Sequence, residues 1–154
     1  MRLLKVDLWK CDGTLCITTN GTVKRNGCAV MGAGVAKQAA ERIPGIDAFL
    51  GKKLTQRGNK VSRIAGVDLP VRYDQNVLSF PVKHHWRERA DIDLIAKSAE
   101  ELRNLFEFGF VGLEGVFLPK PGCANGGLDW NDVEPVLEQF LGHIPNLYVV
   151  DKYA

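Results

Sequence analysis

The sequence predicts an α/β protein of three layers, with a central mixed, mostly parallel sheet flanked by helices. Short apolar runs that read as strands alternate with segments of helical periodicity along the chain. Glycine, proline, asparagine and aspartate punctuate the changes from one to the other. Two glycine-rich stretches, Val30-Met31-Gly32-Ala33-Gly34-Val35-Ala36 and Pro121-Gly122-Cys123-Ala124-Asn125-Gly126-Gly127-Leu128-Asp129-Trp130, each precede a helical pattern.

Taken in order, residues 3–8 and 15–19 read as strands separated by the Asp12-Gly13 turn signal, the second turning polar at Thr18-Thr19-Asn20. A strand whose C-terminal end turns polar commonly points at a ligand in an open α/β sheet. From Gly34, the residues Val35, Ala36, Ala39, Ala40 and Ile43 keep helical spacing until Pro44-Gly45. A weaker helix covers 46–56 and ends at Arg57-Gly58-Asn59. Residues 61–67 and 76–82 read as strands, with Asp68-Leu69-Pro70 between them.

The clearest helix spans 91–108, with Ile92, Ile95, Ala96, Ala99, Leu102, Leu105 and Phe106 on one stripe, Asp91 to cap its start and Gly109 its end. Residues 111–118 form a strand that delivers the second glycine loop. The next helix carries Val133, Val136, Leu137, Phe140 and Leu141 on one face. Pro135 fits its first turn, and Asn131 with Glu134 reads as a capping box, which starts this helix near Asn131 and leaves Asp129 in the loop. Residues 147–150 form a final strand.

At 154 residues the chain reads as one domain, residues 1–154, large enough for a real core without a metal or disulfide. A formal charge of +2 gives no sequence-wide case for nucleic-acid or membrane binding. Cys11, Cys16, Cys28 and Cys123 form no C-x-x-C pair and lack a histidine at zinc spacing, so no structural metal is expected. With no signal peptide and no apolar run of membrane length, the expected setting is cytoplasmic, with reduced thiols.

Each glycine loop has the chemistry of an anion cradle. Glycine lets backbone N–H groups approach a ligand, and a following helix adds unpaired N–H groups and the positive end of its dipole. The first loop has neither the third glycine of a dinucleotide fingerprint nor the G-K-[ST] of a P-loop. Together with the strand at 15–19, the second loop and the run Phe80-Pro81-Val82-Lys83-His84-His85-Trp86-Arg87, however, the pattern resembles the macro domain family. The likeness is closest to the branch that includes ADP-ribose 1″-phosphate phosphatases and DarG-type DNA ADP-ribosyl glycohydrolases. Three motifs in the same order span nearly the whole chain.

The resemblance implies the macro-domain fold and a cleft for ADP-ribose over the carboxyl ends of the strands. Asp7, with Leu8 beside it, matches the position of the acidic residue that accepts from the adenine amino group. Asn20 matches the asparagine at the distal ribose, where an amide offers donors and an acceptor to vicinal hydroxyls. Its other reading is an Asx turn. Gly32, Ala33, Gly34, Val35 and Ala36 would line one side of the diphosphate and distal ribose, and Gly122, Cys123, Ala124, Asn125, Gly126, Gly127 and Leu128 the other. Because Lys and Arg are absent from both loops, binding would rest on main-chain dipoles.

The chain departs from its relatives where catalysis is concerned. Ala33 stands where some members carry lysine, Gly126 where others carry aspartate, and Ile17 or Thr18 where some phosphatases carry histidine, which argues against a lysine adduct. The catalytic candidates are Asn20, His85 and Asp129. Asp129 reads either as a water-positioning carboxylate or as a helix cap. His85 is an imidazole suited to acid–base work, or a surface residue. Lys37, Lys83 and Arg87 each read as phosphate contacts or solvated side chains, and Cys123 as a thiolate in a nest-like loop. The expected function is binding of ADP-ribose and hydrolysis of a derivative: ADP-ribose 1″-phosphate, or ADP-ribose on a modified base or protein. The alternative is a non-catalytic reader. The expected partners are that ligand and an ADP-ribosylated nucleic acid or protein. Neither a cofactor nor a membrane is implied, and the chain is expected to be monomeric.

Overall fold

The computed structural model describes residues 1–66, 75–111 and 114–152. The Asp68-Leu69-Pro70 break, the end of the strand expected at 61–67 and residues 112–113 of the strand expected at 111–118 lie outside them. Six strands form one sheet: β1 (Arg2–Leu4), β2 (Thr14–Asn20), β3 (Ser62–Ala65), β4 (Val77–Lys83), β5 (Val116–Pro119) and β6 (Leu147–Val150). Their order is β1-β6-β5-β2-β4-β3, parallel throughout except for β3, which pairs antiparallel with β4. The mixed, mostly parallel sheet is therefore as expected.

Helices α1 (Gly34–Arg42) and α2 (Ile46–Arg57) pack on one face, α3 (Ile92–Glu107) and α4 (Trp130–Leu141) on the other. The period of two along β2 decides which residues meet which layer. Leu15 and Ile17 join the core beneath Ala36, Ala39 and Leu50. Cys16 between them joins the opposite core, with Phe80, Ile95, Leu102 and Leu137. Burial pushes the Cys16 thiol up to about 12, so it is an inert apolar residue.

Two boundaries differ from expectation. The strand predicted at 3–8 stops at Leu4, and a 3-10 turn occupies Leu8–Lys10. The cause is local: the Asp7 carboxylate accepts the Trp9 N–H at 3.0 Å and turns the chain. Helix α4 begins at Trp130, one residue before the predicted start, with Asp129 as its N-cap, accepting the Asn131 N–H at 2.8 Å. That cap takes over the role assigned to an Asn131–Glu134 box.

Candidate functional site

The C-terminal ends of β2, β4 and β5 open into a cavity of about 580 Å³. Its floor is Thr18, Thr19 and Asn20 from β2, Val82 and Lys83 from β4, and Pro119 from β5. One wall is Val30 and residues 32–36; the other is Gly122, Ala124, Asn125 and Gly126. The two glycine loops thus face one another, and they meet where a Cβ on Gly34 would lie 2.8 Å from Asn125 Nδ2.

The chemistry of both walls is set by which backbone groups are already bonded. In the first loop the N–H groups of Ala29 and Val30 donate to Asp47 and Thr22 carbonyls, and the Lys37 N–H closes the first helical turn on Ala33. Those of residues 32–36 have no acceptor among the described residues. Ala33, the N-cap of α1, makes no side-chain cap, whereas Asp91 and Asp129 cap α3 and α4. α1 thus presents an open N-terminus at the cavity, a favourable place for an anion.

The second loop divides in the same way. Leu128 N–H donates to Gly122 O at 2.9 Å, Gly127 N–H to Ala124 O at 3.2 Å and Cys123 N–H to Lys120 O at 3.5 Å. The N–H groups of Gly122, Ala124, Asn125 and Gly126 have no acceptor among the described residues, and these four are the loop residues that line the cavity. Arg89 holds the loop from outside, donating to Gly127 O from Nε at 3.2 Å and from Nη2 at 2.7 Å.

Asn20 sits between floor and first wall. Its Nδ2 donates to Val30 O at 3.0 Å and its Oδ1 accepts the Thr22 N–H at 2.9 Å. The Asx-turn reading therefore holds, in a residue that also lines the cavity. Thr19 Oγ1, buried in the floor residue next to it, has no partner among the described residues.

Several predicted site residues lie elsewhere. Asp7 is spent on the turn at Trp9, and neither it nor the buried Leu8 lines the cavity. Cys123, Gly127 and Leu128 turn away through the internal bonds just described. Burial is the main reason the Cys123 thiol is raised, with Asp129 adding to it and Lys120 opposing, so the loop does not favour a thiolate. Asp129 is the exposed cap of α4. His85 is exposed on the turn after β4, where its Nδ1 accepts the Arg87 N–H at 3.2 Å and its ring stacks on Trp86. Neither carboxylate nor imidazole reaches the cavity wall.

Cations do reach it, although neither glycine loop carries one. Lys24, Lys83 and Lys120 all line the cavity, with Trp86 at its mouth. Lys120 is paired with Asp151 at 3.1 Å and lies over the Trp130 ring. Lys83 ends β4 directly opposite Asn20 in the register, past an irregularity at Thr19, and its Nζ donates to Trp86 O at 3.5 Å. Lys83, one of the candidate phosphate contacts, lines the cavity; Lys24 and Lys120 carried no signal, since nothing local shows that their segments converge.

No family model matches the chain. It is 27% identical over 145 residues to the DNA ADP-ribosyl glycohydrolase of Mycobacterium tuberculosis, covering 94% of this chain and 39% of that protein. It is 29% identical over 119 residues to the protein of the same name from Thermus aquaticus, covering 75% of this chain and 32% of the relative. The chain thus spans well under half the length of these relatives. Among solved structures, the macrodomain of Mycobacterium tuberculosis DarG matches with a TM-score of 0.77 at 27% identity, over 97% of this chain and 95% of that one. Thermosipho africanus DarTG in complex with ADP-ribose shares the fold, with a TM-score of 0.75 at 22% identity, over 99% of this chain and 42% of that one. The sheet order and the paired glycine loops are those of a macrodomain fold, and these likenesses support the macro domain family, DarG-type branch, as the group this chain resembles in sequence and fold.

Proposed function

We propose that the cavity binds ADP-ribose and that the chain hydrolyses an ADP-ribosyl link, most favourably one to DNA. The observation that carries this is the pair of facing backbone cradles, whose unbonded N–H groups are those that line the cavity. A diphosphate between them would be held by main-chain dipoles from both sides. The names of the curated relatives favour a DNA-linked substrate.

With the diphosphate between the loops, the distal ribose extends to the floor at Asn20 and Lys83. Hydrolysis adds water at C1″ and breaks the bond to the leaving group, which takes up the proton. The titratable side chains on the cavity wall are lysines, and Lys83 is the one set into the floor beside Asn20. Its ammonium is placed to offset negative charge building on the leaving group, an interaction that grows in the transition state. Asn20, whose amide is engaged by backbone on both sides, positions rather than transfers protons. In this reading His85 and Asp129 take no part in the chemistry, Asp7 and Leu8 serve the adenine end only if a ligand extends past the cavity, and the chain acts as one monomeric cytoplasmic domain.

The test is release of ADP-ribose from ADP-ribosylated single-stranded DNA, ADP-ribosylated protein and ADP-ribose 1″-phosphate, compared between the wild type and Lys83→Met. Turnover on the DNA substrate should fall by about 10²-fold or more in the variant while the affinity for ADP-ribose stays within about tenfold. Binding without turnover on any substrate would make the chain a reader, and absence of binding would end both readings.

A further inference from the structure

Among the described residues the exposed large apolar side chains are Leu3, Trp86, Phe108 and Phe110, and of these Trp86 is the one that lines the cavity, with 44% of its surface exposed. The other two tryptophans serve the fold. Trp9 packs on the core beneath α1, its Nε1 donating to Gln38 Oε1 at 2.8 Å, and Trp130 packs on the core of the opposite face. Trp86 joins neither core, and its Nε1 has no acceptor among the described residues. A large aromatic side chain left in water at a concave site is a common mark of a recognition surface.

Its place is set by the same frame that holds the cavity floor. Asn20 Oδ1 accepts the Thr22 N–H at 2.9 Å, Thr22 Oγ1 accepts the Trp86 N–H at 3.1 Å, and Trp86 O accepts from Lys83 Nζ at 3.5 Å. Trp86 is thus fixed through its backbone, between the two residues placed above at the distal ribose. The ring itself touches its exposed chain neighbours: the His85 ring lies at a centroid distance of 6.0 Å, and the Arg87 guanidinium 4.8 Å from the indole centroid. Both neighbours are surface side chains with freedom to move aside, whereas the backbone that carries the indole is held at two points.

We propose that Trp86 selects the leaving group, by stacking on the aromatic base to which ADP-ribose is attached. On the reading of the Asn20–Lys83 end as the place where the link breaks, on which this rests, the group departing from C1″ lies at the mouth of the cavity beside Trp86. A nucleobase offers a flat π-face to the indole, and a phosphate or an acidic side chain offers none. Arg87, Glu88, Arg89 and Asp91 mix both signs of charge along this turn, so the ring and not charge chooses the occupant.

The test compares the wild type, Trp86→Ala and Trp86→Phe on single-stranded DNA carrying ADP-ribose on a base, on ADP-ribosylated protein and on ADP-ribose 1″-phosphate. Trp86→Ala should lower kcat/KM by about tenfold or more on the DNA substrate and by less than about threefold on the others, with ADP-ribose affinity and melting temperature held. Trp86→Phe, which keeps a ring, should recover most of the loss. Stacking is also read without turnover, in Lys83→Met: the modified strand should quench tryptophan fluorescence where ADP-ribose alone does not, and adding Trp86→Phe should abolish that difference. A wild type inactive on every substrate would remove the hydrolytic reading and leave the quenching to decide for or against the stack. An equal loss on all substrates, a wild type active on the others but not on DNA, or no quenching by the modified strand would overturn the proposal. So would a fall in ADP-ribose affinity in Trp86→Ala, which would put the adenine on the indole in place of the departing base.

Discussion

The two glycine loops look alike in sequence and differ in what their glycines do. In the first, a Cβ on Gly32 would meet nothing within 4 Å. In the second, a Cβ on Gly126 would lie 2.5 Å from Gly122 O and 2.7 Å from Ala90 Cβ, and one on Gly122, whose φ is +76, would lie 2.9 Å from Ile95 Cδ1. At Gly32 the first loop keeps glycine for space that a ligand can occupy, while its Gly34, at φ +57, serves the backbone turn and the approach of Asn125. The second keeps it because the loop is pressed onto the start of α3. One composition thus arises from two causes, room for a ligand and room for the protein's own backbone.

Gly126→Ala is the sharpest way to break this contrast. Neither a backbone carbonyl nor the Ala90 Cβ has a rotamer to move, so the loop or the helix start must shift, at about 1–3 kcal/mol. Thermal unfolding should show the loss as a clear drop in midpoint, and the Ala90 N–H to Gly126 O bond of 3.0 Å should lose exchange protection. An unchanged midpoint would mean that packing does not set the shape of the second loop.

Gly32→Ala should do the reverse. With open space around the new methyl, stability should stay within about 0.5 kcal/mol, while calorimetry should show ADP-ribose affinity falling about tenfold, near 1.4 kcal/mol. A stability loss as large as that of Gly126→Ala would erase the distinction between the loops. Between these lies Asp129→Ala, which removes the N-cap of the helix after the second loop and should cost about 1 kcal/mol. Turnover by this variant should persist, because the carboxylate faces the Asn131 N–H and not the cavity.

Much of this was legible in the chain because the signals were local. The stripe of α3, its Asp91 cap and its Gly109 stop all act within a few residues, and the structure has each in place. The glycine loops were legible for the same reason. What sequence reading missed was convergence: Lys24 and Lys120 come from a loop and a strand end and join Lys83, already a candidate, at the cavity, where a loop-by-loop reading found no cation in either cradle. Where it overreached, a short-range bond intervened. Residues 5–8 have a strand-like mix of polar and apolar side chains, but Asp7 bonds the backbone two residues on and ends β1 early. His85 was attractive for its chemistry alone; the turn that follows Lys83 carries it outward.

The smallest effect concerns the support behind the second loop. Asp91 caps α3 by accepting the Asp93 N–H at 2.9 Å and bonds His84 Nε2 at 2.8 Å, next to the Ala90 whose N–H holds Gly126. The hydrogen bond from His84 is the first cause holding the Asp91 carboxyl below its ordinary value of 3.8, and the Asp93 N–H the second. A carboxyl lowered in the folded state favours folding wherever it is ionised. Its contribution is present above the unfolded value of 3.8 and is lost as pH falls through that value and the lower folded one. Both side chains are more than a third exposed, so screening keeps the effect small. Asp91→Asn tests it with the cap retained, since asparagine caps as well as aspartate. The variant should melt slightly below the wild type from neutral pH down to about pH 5, and the gap should close once Asp91 is protonated in both folded and unfolded chains. A gap that persists under those acidic conditions would place Asp91's contribution in its shape and not its charge, leaving the second loop held by packing alone.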